Sequence, residues 1–241
     1  MPRDTSSLSD LDALNARFAG NAEGALGFAL SGALGQVALV SSFGAESAVL
    51  LHMAAQVRRS VPVLFIDTLM LFDETLAYQQ ELAAHLGLTD VRRLTPERVA
   101  LFLQDPDAVL HRANPDACCA LRKTRTLDLA LSGFDGWISG RKRWQTGERA
   151  SLPMFEREAG NGRIKINPLA DFDTAALSAY MDRHALPRHP LVARGYPSIG
   201  CAPCTGPAAP GEHPRAGRWR GTDKDECGIH IEAGRVVRRR A

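Results

Sequence analysis

Short apolar runs alternate along this chain with longer stretches whose apolar residues recur at helical spacing. The clearest run covers residues 61–66, and a second covers residues 36–41; both have the length and composition of buried β-strands. Shorter candidate strands cover residues 91–94, 136–139 and 164–167. These patterns predict strands at all five places.

Helical spacing is found in the stretches between and around these runs. The predicted helices cover residues 8–18, 22–31, 48–55, 72–86, 96–104, 116–131 and 173–184. Asp73 and Glu74 suit the first turn of the fourth helix, and Asp116 is the predicted N-cap of the sixth. Because strands and helices alternate, we expect an α/β fold with a mainly parallel sheet and helices on both faces.

Ligands of such folds bind outside the carboxyl ends of the strands, where Ser42, Asp67 and Arg141 are expected. The loop after the first strand, residues 42–47 (SFGAES), would aim backbone N–H groups and a helix N-terminus at an anion. It is not a Walker P-loop, because it lacks the lysine and the glycine spacing of that motif.

Periodicity ends near Pro197. Glycine, proline, arginine and acidic residues dominate through Asp225, and a stretch this long without secondary structure is usually functional. We therefore divide the chain into an α/β domain, residues 1–204, and a mobile C-terminal segment, residues 205–241.

Composition excludes several classes of function. The 45% apolar and 23% charged residues are ordinary for a globular protein, and a net charge of +2 is too small to imply nucleic-acid binding. No apolar run approaches the length of a membrane span, and the N-terminus lacks the form of a signal peptide. We expect a cytoplasmic protein with no membrane or nucleic-acid partner, whose five cysteines serve a metal or catalysis.

The cysteines fall into two pairs and a single residue. Cys201 and Cys204 form a C-x-x-C motif in a Gly/Pro-rich loop, Cys118 and Cys119 are adjacent, and Cys227 lies near the C-terminus. An iron–sulfur cluster with four thiolate ligands fits this count and leaves one free thiol. A structural zinc, a thioredoxin-like redox pair and inert core cysteines remain alternatives.

Two features of the surrounding sequence favour a metal-binding or catalytic role for the cysteines. Cys118 and Cys119 fall in the first turn of the predicted helix 116–131, where thiolates are favoured, and lie four residues before Arg122 and Lys123. Cys227 is flanked by glycine, as an accessible nucleophile would be. His230, Arg215 and Arg218 would lower its pKa, whereas Glu226 would raise it. An ordinary basic helix surface and a functionless surface cysteine are the simpler explanations.

Taken together, the motifs resemble those of assimilatory adenosine 5′-phosphosulfate reductases, in the family that also contains 3′-phosphoadenosine 5′-phosphosulfate reductases. The resemblance rests on residues 41–46, Asp67-Thr68, Leu71-Phe72, Glu74-Thr75, residues 140–145, His189-Pro190-Leu191, Gly195-Tyr196, residues 215–219 and residues 226–230. It implies an adenine nucleotide alpha-hydrolase-like, nucleotide-binding fold. The two cysteine pairs resemble the cluster-containing branch of the family.

The resemblance also assigns roles. Cys118, Cys119, Cys201 and Cys204 would ligate one [4Fe-4S] cluster, with Lys123 between the cluster and the phosphosulfate. Cys227 would attack the substrate sulfur and form an S-sulfocysteine, with His230 as a further catalytic residue. Ser42, Phe43, Gly44, Asp67, Arg141, Arg215 and Arg218 would bind the substrate. The implied partners are adenosine 5′-phosphosulfate and thioredoxin, or a glutaredoxin-like reductant; the sequence leaves a homo-oligomer open.

The chain departs from the family pattern at Leu69, Asp73 and Trp144, which affects the expected nucleotide contacts. Two other functions remain as alternatives. A 3′-phosphoadenosine 5′-phosphosulfate reductase would share the nucleophile but would not need the four paired cysteines. A tRNA-thiolating ATP pyrophosphatase typically carries Ser-Gly-Gly-x-Asp-Ser, which residues 42–47 do not match.

Overall fold

A six-stranded sheet organises the part of the chain that the computed structural model describes, residues 11–221 with Lys224 and Glu226. Its strand order is β3-β2-β1-β4-β6-β5; the first five of these run parallel, and β5 pairs antiparallel with β6 at one edge. The strands are β1 Val37–Ser41, β2 Val63–Ile66, β3 Val91–Leu94, β4 Gly136–Ile138, β5 Phe155–Arg157 and β6 Ile164–Ile166. The predicted α/β fold with a mainly parallel sheet is confirmed.

Helices connect most of the strands. They are α1 Leu11–Arg17, α2 Ala22–Leu30, α3 Ser47–Val57, α4 Asp73–Leu86, α5 Arg98–Gln104, α6 Leu110–Ala113, α7 Pro115–Cys119, α8 Arg125–Leu131 and α9 Thr174–Arg183. A π-helical turn, Ala120–Thr124, joins α7 to α8 without a break. The described helices include none that is long and apolar enough to cross a membrane.

Buried side chains cover both faces of the sheet. Leu39, Val63 and Phe65 point to the larger core, which also takes in the buried faces of α1, α2, α3, α4 and α9. Ala38 and Leu64 point to the opposite face and pack against α8. Burial on both faces explains why β2 and the first four residues of β1 are apolar, since such a strand has no solvent side.

The order of the strands places a crevice beside β1. The chain runs from β1 outward to β2 and β3, and then returns to the other side of β1 as β4. The loops after β1 and β4 therefore diverge at the carboxyl end of the sheet, and such a switch point is where ligands of open α/β sheets bind.

Three local features differ from the prediction. Strand β5 was not predicted, because a three-residue run with a charged centre has no detectable period; Phe155 secures it by packing on Phe18 and Phe28. The short helix α6 was also missed. The predicted N-cap Asp116 is wrong: Asn114 caps α7, its side chain accepting a hydrogen bond from the Ala117 N–H, and Pro115 takes the first helical position.

The predicted start of the first helix at residue 8 lies outside the described residues. Beyond α9, the chain forms 3₁₀ turns at Pro190–Arg194 and Ala202–Cys204 and then a loop closed on itself. Thr205 pairs with Arg218 as a single antiparallel bridge, and the Gly206 N–H donates to the Gly217 carbonyl at 2.7 Å. Described residues 205–221 are therefore packed on the rest of the chain.

Candidate functional site

A cavity of about 220 Å³ opens at the carboxyl end of the sheet, at the switch point between β1 and β4. One side, which we call the sheet wall, consists of lining residues from 40–50 and 137–149. The other side, the cap wall, consists of residues 197–201 and 214–219. Lys123 and Glu226 also line the cavity, so that residues far apart in the sequence meet there.

The loop after β1 shapes the sheet wall. Ser42 and Gly44 line the cavity, whereas the Phe43 side chain is fully buried and packs edge-on against Phe65, with 5.2 Å between ring centroids. Phe43 adopts a positive φ of 47°, and its N–H donates to the Ser41 hydroxyl at 3.1 Å. The burial of Phe43 turns the loop backbone at Ser42 and Gly44 toward the cavity, so any contact of Phe43 with a ligand would come from its backbone.

Gly44 also lets the cap wall approach. A Cβ at this position would lie 3.2 Å from the Ile199 carbonyl oxygen, closer than side-chain carbons normally come to backbone. The two walls therefore meet at a position that glycine fits best.

The loop after β4 supplies buried cations. The Lys142 ammonium lies 2.6 Å from the Glu46 carboxylate, and burial lowers the pKa of Lys142 more than Glu46 raises it. Arg141 lines the cavity, but its guanidinium binds Glu156 and donates to the Asn167 side chain at 3.3 Å. Arg141 is thus held by strand β5 and its neighbours, which the sequence did not indicate.

Asp67 lies at the end of β2 but is not among the lining residues. Its carboxylate accepts from Arg93 at 2.5 Å and from the Leu69 N–H at 2.8 Å. Thr68 lines the cavity instead, and its hydroxyl lies 3.2 Å from the Cys201 thiol. The unusual Leu69 has a positive φ of 58°, and its side chain is half exposed.

The helical segment that carries the vicinal cysteines is tied to the end of α5 by a buried ion pair and to the loop after β2 by a hydrogen bond. Arg122 lies 2.6 Å from Asp105, with both side chains buried, and also donates to the Thr68 carbonyl at 3.1 Å. Arg122 is therefore not part of an exposed basic surface. The next residue, Lys123, lines the cavity, and its charge lowers the pKa of the Cys204 thiol, although burial raises that pKa overall.

The structure gathers the paired cysteines. Cys118, Cys119 and Cys201 are buried and Cys204 is half-buried. Burial, together with the charges of Cys119, Cys201 and Cys204 and against the opposing charge of Arg122, raises the pKa of Cys118 to about 11, so the four thiols lie within electrostatic reach of one another. Among the described residues, no three Cys, His, Asp or Glu side chains are close enough to hold a single metal ion.

The cap wall carries two arginines around one tryptophan. The guanidinium carbons of Arg215 and Arg218 lie 5.6 and 4.4 Å from the Trp219 ring centroid. The Trp219 N–H donates to the Cys204 carbonyl at 3.0 Å, which links the arginines to the C-x-x-C loop. A Cβ at Gly200 would overlap the Arg218 guanidinium, so this glycine is what lets the cation lie against the loop.

Arg149 is a lining residue that the sequence analysis did not single out. It is buried, and it lies 2.5 Å from the Glu226 carboxylate. In the described part of the chain, the buried Nε atoms of Arg149 and Arg218 have no hydrogen-bond acceptor. The basic run 140–149 marks the region in the sequence, but only the fold shows which of its cations face the cavity.

The predicted nucleophile Cys227 and the predicted His230 lie outside the described residues. Their neighbour Glu226 lines the cavity, which brings the chain to the cavity edge one residue before Cys227. The structure thus brings together Ser42, Gly44, Lys123, Arg141, Arg215, Arg218 and Cys201, and it places Phe43 and Asp67 behind them.

Comparisons with known proteins point to one family. Residues 36–207 match the family described as phosphoadenosine phosphosulfate reductase domain. The adenosine 5′-phosphosulfate reductase of Mesorhizobium japonicum is 52% identical over 81% of this chain and 76% of that protein. The same-named protein of Chelativorans sp. is 50% identical over 82% of this chain and 80% of its own length.

A solved structure supports the same assignment. The phosphoadenylyl-sulfate reductase of Candida auris, crystallised as a phosphate complex, superposes with a TM-score of 0.71 at 28% identity. The match covers 81% of this chain and 95% of that one. The fold that the motifs implied is confirmed.

Proposed function

Because the chain belongs to the phosphoadenosine phosphosulfate reductase family, we propose that it reduces adenosine 5′-phosphosulfate to sulfite and AMP in sulfate assimilation. The observation that carries the proposal is the cavity itself. Lys123, Arg149, Arg215 and Arg218 line it beside the four gathered thiols, and the chain reaches it one residue before Cys227. It is an oxidoreductase that acts on a sulfur group.

In the first step, the Cys227 thiolate attacks the sulfur of the sulfate group. A bond forms between the two sulfur atoms, and the bond from sulfur to the bridging phosphate oxygen breaks. AMP leaves with that electron pair, and Cys227 becomes an S-sulfocysteine. Cations near the phosphate offset the charge that builds on the leaving oxygen.

In the second step, a thiolate of thioredoxin, or of a glutaredoxin-like protein, attacks the Cys227 sulfur and releases sulfite. The second thiol of the reductant then resolves the mixed disulfide. The reductant is oxidised to a disulfide, and the sulfur of the substrate gains the two electrons. A thiol reductant of this kind places the reaction in a reducing compartment, and we propose the cytoplasm.

The cap wall is suited to the anionic end of the substrate. Arg218 has a buried Nε without an acceptor, and Gly200 lets its guanidinium lie against the C-x-x-C loop. A phosphosulfate oxygen would supply the missing acceptor, since guanidinium groups bind such anions by paired hydrogen bonds. Ser42 and Gly44, in the loop between β1 and α3, would face the nucleotide.

The gathered thiols fit a [4Fe-4S] cluster held by Cys118, Cys119, Cys201 and Cys204. Burial, and then repulsion from the neighbouring cysteines, raises the thiol pKa of Cys118, and ligation of the thiolates to iron would relieve this penalty. When bound, the cluster would add negative charge beside Lys123 and hold the C-x-x-C loop in place.

The alternative substrate is 3′-phosphoadenosine 5′-phosphosulfate. We favour the form without a 3′-phosphate because the cysteine pairs have a place in the fold next to the cavity. In addition, relatives about half identical to this chain carry the adenosine 5′-phosphosulfate reductase name. Competition between the two substrates would decide between them: equal or reversed preference would favour the phosphoadenosine form.

The reaction is tested by mass spectrometry under anaerobic conditions. Wild-type protein incubated with adenosine 5′-phosphosulfate, without a reductant, should gain the mass of one sulfonate on the peptide that contains Cys227. Cys227→Ser should keep its iron content and its AMP affinity but form neither the adduct nor sulfite. An adduct on another cysteine, or turnover by Cys227→Ser, would contradict the mechanism.

A further inference from the structure

Glu226 forms the last described contact of the C-terminal segment, and it binds inside the cavity. Its carboxylate lies 2.5 Å from the Arg149 guanidinium and accepts from the Thr146 hydroxyl at 3.1 Å. Arg215 is 3.9 Å from the same carboxylate, at the limit of an ion pair. Arg149 is buried and Glu226 is 17% exposed, so this contact is largely shielded from solvent.

The charge of Glu226 is unfavourable for its neighbour in the sequence. Nucleophilic cysteines depend on the thiolate, and an adjacent carboxylate disfavours that form. A glutamate directly before Cys227 therefore needs a role other than activation of the thiol. The contacts with Thr146 and Arg149 offer one.

We propose that Glu226 is a positioning residue, which attaches the segment carrying Cys227 to the basic loop at Thr146 and Arg149. This inference rests on the proposed function of Cys227. Consecutive Cα atoms are about 3.8 Å apart, so fixing Glu226 at the cavity edge restricts where the next residue can be. Holding a nucleophile near its target reduces the entropy that is lost on reaching the reactive geometry. A misplacement of about 1 Å can lower the rate on the order of 100-fold.

The distribution of contacts explains how the anchor and the substrate could be bound together. Glu226 makes its short contacts with Arg149 and Thr146 in the 3₁₀ turns that follow β4. Arg218, whose Nε has no acceptor among the described residues, lies on the opposite cap wall. The short contacts of Glu226 are therefore with one wall. On the other wall, Arg215 reaches the carboxylate only at 3.9 Å, and Arg218 remains for the phosphosulfate.

The experiment measures the rate of sulfonate addition to Cys227 at saturating adenosine 5′-phosphosulfate, without reductant. Glu226→Ala should slow this step by about 100-fold. Glu226→Gln should be intermediate, because it keeps an acceptor for Thr146 but loses the ion pair. The AMP dissociation constant should not rise in either variant, which separates positioning from substrate binding. Glu212→Ala is the matched control: Glu212 bonds to Arg220 and to the Ala209 N–H, outside the cavity.

Two further measurements distinguish a positioning role of Glu226 from a general loss of thiol reactivity. Alkylation of Cys227 by iodoacetamide should not slow in Glu226→Ala, because the thiol itself is unimpaired. Glu226→Ala should also add no further slowing when Arg149 is already alanine, since both changes break the same contact. Full additivity of the two changes would overturn the proposal.

The remaining outcomes assign failure to one hypothesis or the other. If wild-type protein forms no adduct on Cys227, the proposed function is wrong. If wild-type protein forms the adduct and Glu226→Ala forms it equally fast or faster, only the positioning role is wrong. A faster variant would mean that the carboxylate competes with the substrate anion for Arg149.

Discussion

The two walls of the cavity are held together by different forces. The sheet wall follows from β1 and β4, whose side chains are buried in the core, and Phe43 extends that core into the loop. The cap wall has no strand and no α-helix among its residues. Its buried residues are few: Ile199, Cys201, Gly217 and Trp219. Backbone hydrogen bonds, stacked arginines and the gathered thiols stabilise it instead.

This difference predicts which wall of the cavity opens more easily. A wall that depends on the hydrophobic core should fail only when the whole protein unfolds, because small domains unfold cooperatively. A wall held by a few polar contacts and a metal group should open separately, at a lower free energy. The following predictions test whether the two walls can be separated in this way.

The largest effect is expected from Cys201→Ser. It removes a predicted cluster ligand and the contact of that thiol with Thr68, so the variant should lose iron and nearly all activity. Iron and acid-labile sulfide analysis of an anaerobic preparation measures the loss, together with sulfite formation.

The matched change in the sheet wall is Phe43→Leu. It should lower the free energy of unfolding by about 1 kcal/mol and leave the iron content unchanged. Equal loss of iron in both variants would show that the walls are not independent.

A smaller effect is expected from Lys123→Ala. Lys123 lines the cavity and its charge acts on the Cys204 thiol, and one charge contact in the transition state is worth about 2–4 kcal/mol. Steady-state kinetics should show kcat/KM reduced by roughly 30- to 1000-fold. Arg125→Ala, an exposed residue two positions along the same helical segment, is the control and should be near wild type. A normal rate for Lys123→Ala would remove this residue from the site.

Gly217→Ala tests the backbone of the cap wall. A Cβ at residue 217 would overlap the Gly206 carbonyl, and backbone there cannot move without opening the loop. We expect the free energy of unfolding to fall by about 1–3 kcal/mol. We also expect kcat/KM to fall by about tenfold or more, because Arg215 and Arg218 flank this position. Gly133→Ala, where a Cβ would meet no atom within 4 Å, is the control. Thermal unfolding and kinetics measured together would show whether the cap wall opens alone.

The smallest effect at neutral pH concerns His189, which directly precedes the 3₁₀ turn Pro190–Arg194. His189 is buried, its Nε2 lies 3.0 Å from the Thr75 hydroxyl, and its Nδ1 accepts from the Leu191 N–H. Burial lowers the pKa of His189 to about 4, so folding favours the neutral ring. The stabilisation of the folded state by the neutral ring is complete above about pH 6.5. As the pH falls toward 4, the free energy of unfolding should decrease, by at most about 3 kcal/mol.

Urea unfolding between pH 4 and 7 would measure this contribution. His189→Asn, which keeps an acceptor for the Leu191 N–H, should show less of the acid-dependent loss. An identical pH profile in the variant and the wild type would contradict the assignment to His189.

Much of the fold was predictable because local sequence patterns determine where most of its strands and helices lie. The five predicted strands were found within one or two residues. The two central strands β1 and β2 are apolar runs with clear ends because they are buried on both faces, whereas the edge strand β3 carries two arginines. Strand β5 was missed because its pairing with β6 and the packing of Phe155 are contacts between distant residues. The N-cap error had a local cause: Asn114 and Asp116 both suit a cap, and Pro115 takes the first helical position after Asn114.

For the site, the sequence alone determined which residues follow the parallel strands, how the cysteines are paired, and which family the motifs resemble. Only the tertiary structure decided which charges face the cavity. Asp67 is bound by Arg93 and Arg141 by Glu156, whereas Arg149 meets Glu226 from 77 positions away. The physical reason is that spacing along a chain fixes the direction of neighbouring side chains, but the partner of a buried charge is chosen by packing between distant elements.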